Sequence, residues 1–300
     1  MRIAHTLSAF CLTTLLTQGG FAQSGIIAYD GFSAASIVDI EGYNGGFGWT
    51  SPWTGIGNLM LTGIVQPGLS APGLATQPGG ALSDPWNATD ATWYTRTFGL
   101  VPGNTLYVSF LYRPDAATYG SYGGIQFGNY PAQMFIGSPG GYYTYGFHYG
   151  RYGFALSNVP ETPDVTAFVV VQIEAIPATS QTVYRLWIDP TAGMPPPAHP
   201  DLELTLGGVA ALPTALTLTN DGGVTTDEIR IGVTWSSVTP TPCAGDVNGD
   251  RVVNESDLGI VLSHWQGNVT PGTSGDLTGD GLVNESDLGV VLARWAVACT

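Results

Sequence analysis

The C-terminal end of the chain contains one segment twice, 30 residues apart. Residues 246–265 read DVNGDRVVNESDLGIVLSHW, and residues 276–295 read DLTGDGLVNESDLGVVLARW. Each copy begins with an acidic, turn-rich stretch and ends in an apolar run with the period of a helix. The duplication therefore predicts two equivalent units, each made of an acidic loop followed by one helix.

The acidic loops carry oxygen atoms at the spacing of a calcium-binding loop. Oxygen-bearing side chains occupy positions 1, 3, 5, 9 and 12 of each copy, and position 7 offers a main-chain carbonyl. Calcium takes about six to eight such oxygen ligands. We predict two calcium ions. The expected ligands are Asp246, Asn248, Asp250, Val252, Asn254 and Asp257 in the first loop, and Asp276, Thr278, Asp280, Leu282, Asn284 and Asp287 in the second.

Both loops depart from the usual pattern of an EF-hand loop. Position 12 is Asp rather than Glu, and position 6, where the chain turns with positive φ, is Arg251 in the first copy and Gly281 in the second. These departures predict modest affinity, which suffices where calcium is near millimolar, as it is outside a cell. The alternative is an Asp- and Asn-rich turn without metal. Two copies in register, and the mutual repulsion of their carboxylates, favour calcium.

Each loop has a helix only on its C-terminal side, because Pro and Gly precede both loops. The helices carry apolar stripes that we expect to cover each other. The stripes are Leu258, Val261, Leu262 and Trp265 in the first copy, and Leu288, Val291, Leu292 and Trp295 in the second.

A tandem of loop-plus-helix units with this motif, from residue 245 to about 297, resembles a type I dockerin. The resemblance implies a calcium-dependent module, residues 245–300, that binds a cohesin-like protein module. It also implies that partner choice depends on loop positions 10 and 11, which are Glu255, Ser256, Glu285 and Ser286. Because the copies agree there, either face could serve one partner. The alternative is that both glutamates are merely solvated.

The two ends of the chain indicate export. Arg2 and His5 precede an apolar run at residues 7–16, so residues 1–23 are predicted to be a signal peptide, and the protein secreted or placed on the cell surface. We expect no membrane span and no lipid anchor. Cys243 and Cys299 flank the repeats, and a twofold relation between the units would bring them together as a disulfide. Two free thiols are the alternative.

The body, residues 25–237, is predicted to be one mostly β domain, an antiparallel jelly-roll sandwich, followed by a linker at residues 238–244. Strand-like runs lie at residues 105–112, 167–176 and 182–188, and the last two are separated by a hairpin-length link. Further candidate strands are residues 26–29, 124–127, 215–218 and 228–235.

Several phrases resemble the laminin-G-like, or concanavalin-like, jelly-roll domains of secreted bacterial proteins. They are AYDGF at residues 28–32, GGFGW at 45–49, LWIDP at 186–190 and DEIRIGVTW at 227–235. In such sandwiches the first and last strands commonly pair, so the resemblance implies that residues 26–32 and 228–235 are neighbours.

Charge and residue content limit what the body can bind or catalyse. The net charge is −15 and all eight basic residues are arginine, which disfavours nucleic acid and anionic membranes and leaves neutral polysaccharide or protein partners. No paired-carboxylate motif of a glycosidase is present, and we assign no catalytic residue. Alternation of Tyr143, Tyr145, Phe147 and Tyr149 indicates one aromatic sheet face, either a sugar platform or the sandwich core. Trp86 and Trp93 are alternative exposed rings.

The sequence thus predicts a secreted, calcium-binding dockerin-type protein that docks a carbohydrate- or surface-recognition sandwich onto a cohesin-like partner. One alternative is a polysaccharide-degrading glycoside hydrolase component whose active site is not visible in the sequence. Another is a structural surface protein whose tail is a calcium-stabilised cap.

Overall fold

A computed structural model describes residues 25–56, 62–77, 79–83, 92–116, 120–128, 133–208, 210–220, 222–248, 252–269 and 272–296. Within them, fifteen strands build two antiparallel sheets, followed by three helices. The strands are β1 (Ile26–Asp30), β2 (Thr54–Ile56), β3 (Gly63–Val65), β4 (Ala81–Ser83), β5 (Thr92–Thr97), β6 (Thr105–Pro114), β7 (Tyr122–Phe127), β8 (Met134–Pro139), β9 (Thr144–Tyr149), β10 (Gly153–Pro160), β11 (Ala167–Ile176), β12 (Gln181–Ile188), β13 (Leu202–Gly207), β14 (Ala215–Asn220) and β15 (Val224–Gly232). The helices are α1 (Trp235–Val238), α2 (Glu255–Ser263) and α3 (Glu285–Ala293).

The strands form an eight-stranded and a seven-stranded sheet. The first has the order β13-β12-β11-β6-β15-β4-β3, with β1 also paired to β15, and the second has the order β10-β9-β8-β7-β14-β5-β2. The side chains of the two inner faces share one core, as in the contacts of Tyr112 with Tyr145 and of Phe147 with Tyr184, whose ring centroids lie 5.8 Å and 6.1 Å apart. The predicted mostly β, antiparallel sandwich is confirmed.

Strand β6 shows why the eight-stranded sheet needs cover on both faces. Its Leu106, Val108 and Phe110 belong to the core between the sheets, whereas Leu111 packs on the opposite side. A second apolar layer covers that outer face, built mainly by α1 and two long connections. Its buried members are Leu69, Leu74, Ala81, Leu111, Phe168, Val170, Trp187, Ala192, Trp235 and Val238.

Most of the predicted strands form, and the predicted pairings hold. Strands β11 and β12 make the expected hairpin, with Ile176 opposite Gln181. Strand β1 pairs with β15, with Ala28 opposite Ile231. The prediction of a strand through residue 235 is wrong at its end, because Thr234 caps a helix that starts at Trp235.

The alternating aromatic run divides between strand and turn. Tyr145 and Phe147 are buried in the sandwich core, which confirms the core alternative for these two rings. Tyr149 is half-buried against that core, and Tyr143 lies before β9 with a φ of 56° and is 49 % exposed. A positive φ takes Tyr143 out of the strand alternation, so the four rings do not share one face.

The segment after α1, which includes the start of the predicted linker, packs on the sandwich. Val238, Thr239 and Pro240 are buried. The carbonyl of Thr239 accepts a hydrogen bond from Gly193, and that of Pro240 accepts one from Ala75. The chain therefore leaves the sandwich from an anchored position before the C-terminal module, residues 244–296, begins.

Candidate functional site

The two units of the C-terminal module are related by a pseudo-twofold axis, and equivalent backbone atoms make equivalent hydrogen bonds. The amide of Gln266 donates to the carbonyl of Val283 at 2.7 Å, and its counterpart 30 residues later, Ala296, donates to Val253 at 2.9 Å. Each helix end thus pairs with the other unit's loop. The module core is Val253, Val261, Val283 and Val291, all fully buried. The two units are therefore one folding unit rather than two independent loops.

Two glycines allow the two units to pack this closely. Gly245, with a φ of +92°, lies so close to α3 that a Cβ would meet the carbonyl oxygen of Val290 at 3.2 Å. Its counterpart Gly275, also at +92°, lies against α2, where a Cβ would be 2.9 Å from the Cα of Val261. Both the positive φ and the lack of space require glycine.

Position 12 of the first loop fastens the loop to its helix. The Asp257 side chain is fully buried, and its Oδ1 accepts hydrogen bonds from the amides of Val247 at 2.7 Å and Asn248 at 3.1 Å. Its Oδ2 accepts from the amide of Asn254 at 2.9 Å, completing a capping box at the start of α2. One carboxylate thereby joins loop positions 2, 3 and 9.

The second loop repeats this arrangement. Asp287 is fully buried and accepts from Leu277 at 2.8 Å, Thr278 at 2.9 Å and Asn284 at 2.9 Å. Burial alone would raise the pKa of Asp287, but the amides of Asn284, Thr278 and Leu277 hold it below its usual value. The side chain is therefore kept ionised, as a cation ligand must be.

Position 1 of the second loop is also encircled by amides. Oδ1 of Asp276 accepts from Gly279 at 2.8 Å and Asp280 at 3.2 Å, and Oδ2 accepts from Gly281 at 2.8 Å and Gly272 at 3.2 Å. Burial opposes ionisation, yet these hydrogen bonds lower the pKa of Asp276. Gly281 has a φ of +84°, so position 6 of this loop has the predicted positive φ.

The donor set fits a hard cation in type. In the described part of both loops the predicted side-chain ligands are carboxylate, amide and hydroxyl oxygens, and the lowered pKa values of Asp276 and Asp287 keep these two carboxylates ionised. Within the described residues, however, no three His, Cys, Asp or Glu side chains converge as a preformed metal cage. Backbone amides donate to the carboxylate oxygens instead, and an ionised carboxylate has about four lone-pair positions, so these hydrogen bonds and a calcium ion can share the same group.

The predicted ligand Asp250 and the predicted disulfide partner Cys299 lie outside the described part of the chain. The same holds for Arg251, for the candidate ring Trp86 and for the predicted signal peptide at residues 1–23. Cys243 is disulfide-bonded, and its pairing with Cys299 remains a prediction. The remaining expected ligands of the first loop, Asp246, Asn248, Val252 and Asn254, lie in the described segments before and after that gap.

The predicted apolar stripes are partly wrong. Val261 and Val291 are fully buried and Leu258 and Leu288 pack against the module core, but Leu262 is 51 % exposed and Leu292 54 %. In a helix each residue turns by about 100°, so the residue after the central valine leaves the buried face. Trp265 packs on the core, whereas Trp295 is 40 % exposed. The predicted partner residues Glu255, Ser256, Glu285 and Ser286 are all exposed in the first helical turns.

A cleft of about 520 Å³ separates the C-terminal module from the sandwich. Position 1 of both loops borders it, through Asp246 and Asp276, and the sandwich contributes Tyr29, Phe47 and Arg230. The acidic ends of the loops therefore face the sandwich, while the exposed first turns of α2 and α3 carry the predicted partner residues.

Buried charges in the sandwich were not anticipated from the sequence. Asp30 and Arg96 form an ion pair of 2.6 Å with side-chain exposures of 0 % and 1 %. Trp53 Nε1 donates to the same carboxylate at 3.0 Å, and the Arg96 guanidinium lies 4.9 Å from the ring centroid of Trp49. These contacts hold residues 44–53 against β5. Moving this segment away would leave the buried charges without their partners, which costs free energy.

A second buried group lies at an irregularity in β15. Glu228 has a φ of 54° within the strand, and its carboxylate accepts from Tyr29 and pairs with Arg230. Neighbouring Asp227 accepts from the amide of Leu69 at 2.8 Å, and burial together with the Glu228 charge raises the pKa of Asp227 to about 8. Residues 227–230 read DEIR, and their polarity does not alternate as it does in a regular strand. This break in the alternation is the sequence signal for the irregularity.

Comparison with known proteins supports the division between sandwich and module. Residues 244–294 match the dockerin type I domain family, which confirms the resemblance found in the sequence. No curated protein matches the chain. None of the helices in the described segments is both long and apolar enough to cross a membrane.

Several solved structures are similar to the chain. Domain 4 of AbnA, an extracellular arabinanase from Geobacillus stearothermophilus, in complex with arabinotriose, is 15 % identical, with 71 % of this chain and 96 % of that chain covered and a TM-score of 0.45. The lectin UEA-II complexed with galactose is 10 % identical, with 67 % and 98 % covered and a TM-score of 0.36. The binding domain of botulinum neurotoxin serotype D is 11 % identical, with 82 % and 54 % covered and a TM-score of 0.41. At these scores the likeness assigns no function.

Proposed function

We propose that residues 245–300 are a calcium-dependent docking module that attaches the sandwich, residues 25–237, to a cohesin-like partner outside the cell. The sandwich then serves as the cargo that recognises a neutral carbohydrate or a surface. The family match at residues 244–294 carries the proposal. The paired, buried clamps of Asp257 and Asp287 support it, because they hold both loops in one conformation at the start of a helix.

Two calcium ions would be held by the twelve residues predicted as ligands, one ion in each loop. Bound calcium would supply positive charge that offsets the carboxylates of its loop and connects loop positions 1, 3 and 5 to the helix start at position 12. The chain itself supplies the frame, since the helices, the valine core and the exchanged backbone hydrogen bonds join the two loops. Loss of calcium is therefore expected to loosen both units together.

The partner surface is proposed to include the first turns of α2 and α3. Glu255 and Ser256 are exposed there, and Leu262, seven residues after Glu255, extends the same exposed side with an apolar group. Glu285 and Leu292 repeat this combination in the second unit. An apolar group with polar residues around it matches the arrangement of a protein interface, which has an apolar centre and a polar rim.

The test is surface plasmon resonance with the full mature chain immobilised and a panel of cohesin modules in solution. We expect binding in 2 mM calcium chloride and its loss in EGTA. Replacing Glu255 and Ser256 by alanine should leave binding intact, because the second face remains. Replacing Glu285 and Ser286 as well should abolish it. Binding that persists in EGTA, or the absence of binding to every cohesin, would overturn the proposal.

A further inference from the structure

The outer face of the seven-stranded sheet carries a continuous group of aromatic rings at its β10 edge. We call this group, Tyr122, Phe135, Tyr142, His148 and Phe154, the aromatic platform. Phe135, His148 and Phe154 lie directly opposite one another on β8, β9 and β10. Facing residues of adjacent strands point to the same side of a sheet, so these three side chains share one face. The alternate residues, such as Phe147, fill the sandwich core.

The rings of the platform support one another. The imidazole of His148 stacks on Phe154 with a centroid distance of 4.3 Å and an interplanar angle of 14°. The Tyr122 hydroxyl lies 3.0 Å from His148 Nδ1, and its ring stacks on Phe135 at 4.0 Å. Tyr142 contacts Phe154 at 5.2 Å. Phe154 is therefore backed by a hydrogen-bonded ring and held in one orientation.

The rings at one end of the aromatic platform are exposed to solvent. Phe154 is 38 % exposed and Tyr142 46 %, while Phe135 at the other end is fully buried. The turn between β9 and β10, next to Phe154, adds Tyr152, which is 76 % exposed. Neighbouring exposed apolar groups mark binding sites more often than apolar residues scattered singly over a surface. Rigid aromatic groups also lose little conformational entropy on binding.

Charge limits what the platform can accept. None of its five residues is acidic, and burial lowers the pKa of His148, so its ring is neutral at pH 7. The nearby cation Arg151 lies over the Tyr152 ring, 5.1 Å from its centroid. The chain as a whole has a net charge of −15, which repels polyanions. The platform itself therefore has no charged group that could pair with an ionic ligand.

We propose that the aromatic platform binds a neutral polysaccharide, with Phe154 and Tyr142 presenting ring faces to the C–H faces of its sugar units. The Tyr142 hydroxyl provides a polar group beside the ring faces, which a sugar's hydroxyl groups can use. A purely apolar protein segment would leave that hydroxyl unused. This inference rests on the proposed role of the sandwich in carbohydrate recognition, and it places that role at the β10 edge.

The experiment uses the full chain in calcium and measures its retention in affinity gels that contain neutral polysaccharides, namely cellulose derivatives, xylan, mannan and starch. Alginate gels and gels with a protein, casein, are run beside them. The wild type should be retarded by at least one neutral polysaccharide. Phe154→Ala and Tyr142→Ala should each weaken that retention about tenfold or more. Leu100→Ala is the control, since Leu100 is 88 % exposed and lies outside the platform.

The outcomes separate the location from the role. Trp93 is 40 % exposed on β5 of the same sheet, so Trp93→Ala tests the other candidate platform. If only Trp93→Ala loses retention, the platform is misplaced while carbohydrate recognition stands. If the wild type is retarded by no neutral polysaccharide, or only by casein or alginate, both the platform and the carbohydrate role fail. Unchanged thermal unfolding of the sandwich shows that each variant is folded.

Discussion

Replacement of Asp257 by alanine tests how the structure holds the C-terminal module together. The carboxylate is fully buried and accepts three backbone hydrogen bonds, from Val247, Asn248 and Asn254. Alanine leaves all three amides without this acceptor. It also removes the capping box that begins α2.

The size of the effect follows from these contacts. A hydrogen bond to a charged group contributes about 1.5–3 kcal/mol, but the three amides belong to half-buried residues that water can reach. Counting about 1 kcal/mol for each of the three amides, one of which is the capping-box bond from Asn254, gives about 3 kcal/mol. A core of this size rarely supplies more than about 3–5 kcal/mol. The module should therefore lose most of its stability, even before any loss of calcium is considered.

The assay is differential scanning calorimetry of the full chain in calcium and in EGTA. The sandwich transition should remain, because its core shares no residue with the module core. The module transition should disappear in Asp257→Ala. Glu255→Ala, exposed in the same helical turn, should change stability by less than about 0.5 kcal/mol. A module transition in Asp257→Ala within 1 °C of the wild type would refute the reasoning.

Two further predictions concern a buried acid and two glycines. Burial raises the pKa of Glu161, which is 3 % exposed, from 4.5 to about 7, so the folded state favours the protonated carboxyl. This contribution to the free energy of unfolding is fully present below pH 4.5 and is lost as the pH rises through about 7. Urea denaturation at pH 5 and 9 should show a loss about 3 kcal/mol larger in the wild type than in Glu161→Gln, and equal losses would contradict this. Gly275→Ala should destabilise the module by about 2 kcal/mol or more, because Val261 leaves no space and φ is positive. Gly259→Ala, with no atom within 4 Å of its Cβ, should stabilise it by about 0.5–1 kcal/mol. Calorimetry of the module transition checks both glycine variants. A higher unfolding temperature for Gly275→Ala than for Gly259→Ala would contradict this prediction.

The features that could be predicted from the sequence depend on residues close together in the chain. The spacing of polar residues in the repeats predicted a helix that begins near position 12 of each loop, and the helices begin two residues earlier, at Glu255 and Glu285. The hairpin of β11 and β12 followed from two apolar runs and a short link. The pairing of β1 with β15 came from family resemblance, since no local pattern connects segments about 200 residues apart.

The features that were missed depend on contacts between distant segments. Leu262 belongs to the helical stripe in the sequence, yet the crossing of the two units buries only Val261 and its nearest neighbours. The ion pair of Asp30 with Arg96 joins residues 66 positions apart. The left-handed conformation at Glu228 is held by its buried partners, and propensity does not predict it. Three rings of the aromatic platform, Phe135, His148 and Phe154, come from β8, β9 and β10, so their arrangement is known only from the register of these strands.

The central claim is that the duplicated loops are calcium sites in one docking module. Isothermal titration of calcium into the EGTA-stripped full chain tests it most directly, with Asp257→Ala/Asp287→Ala as the matched variant. We predict two calcium ions bound per wild-type chain and none by the variant. A wild type that binds no calcium, or a variant that binds two ions as tightly as the wild type, would contradict the account.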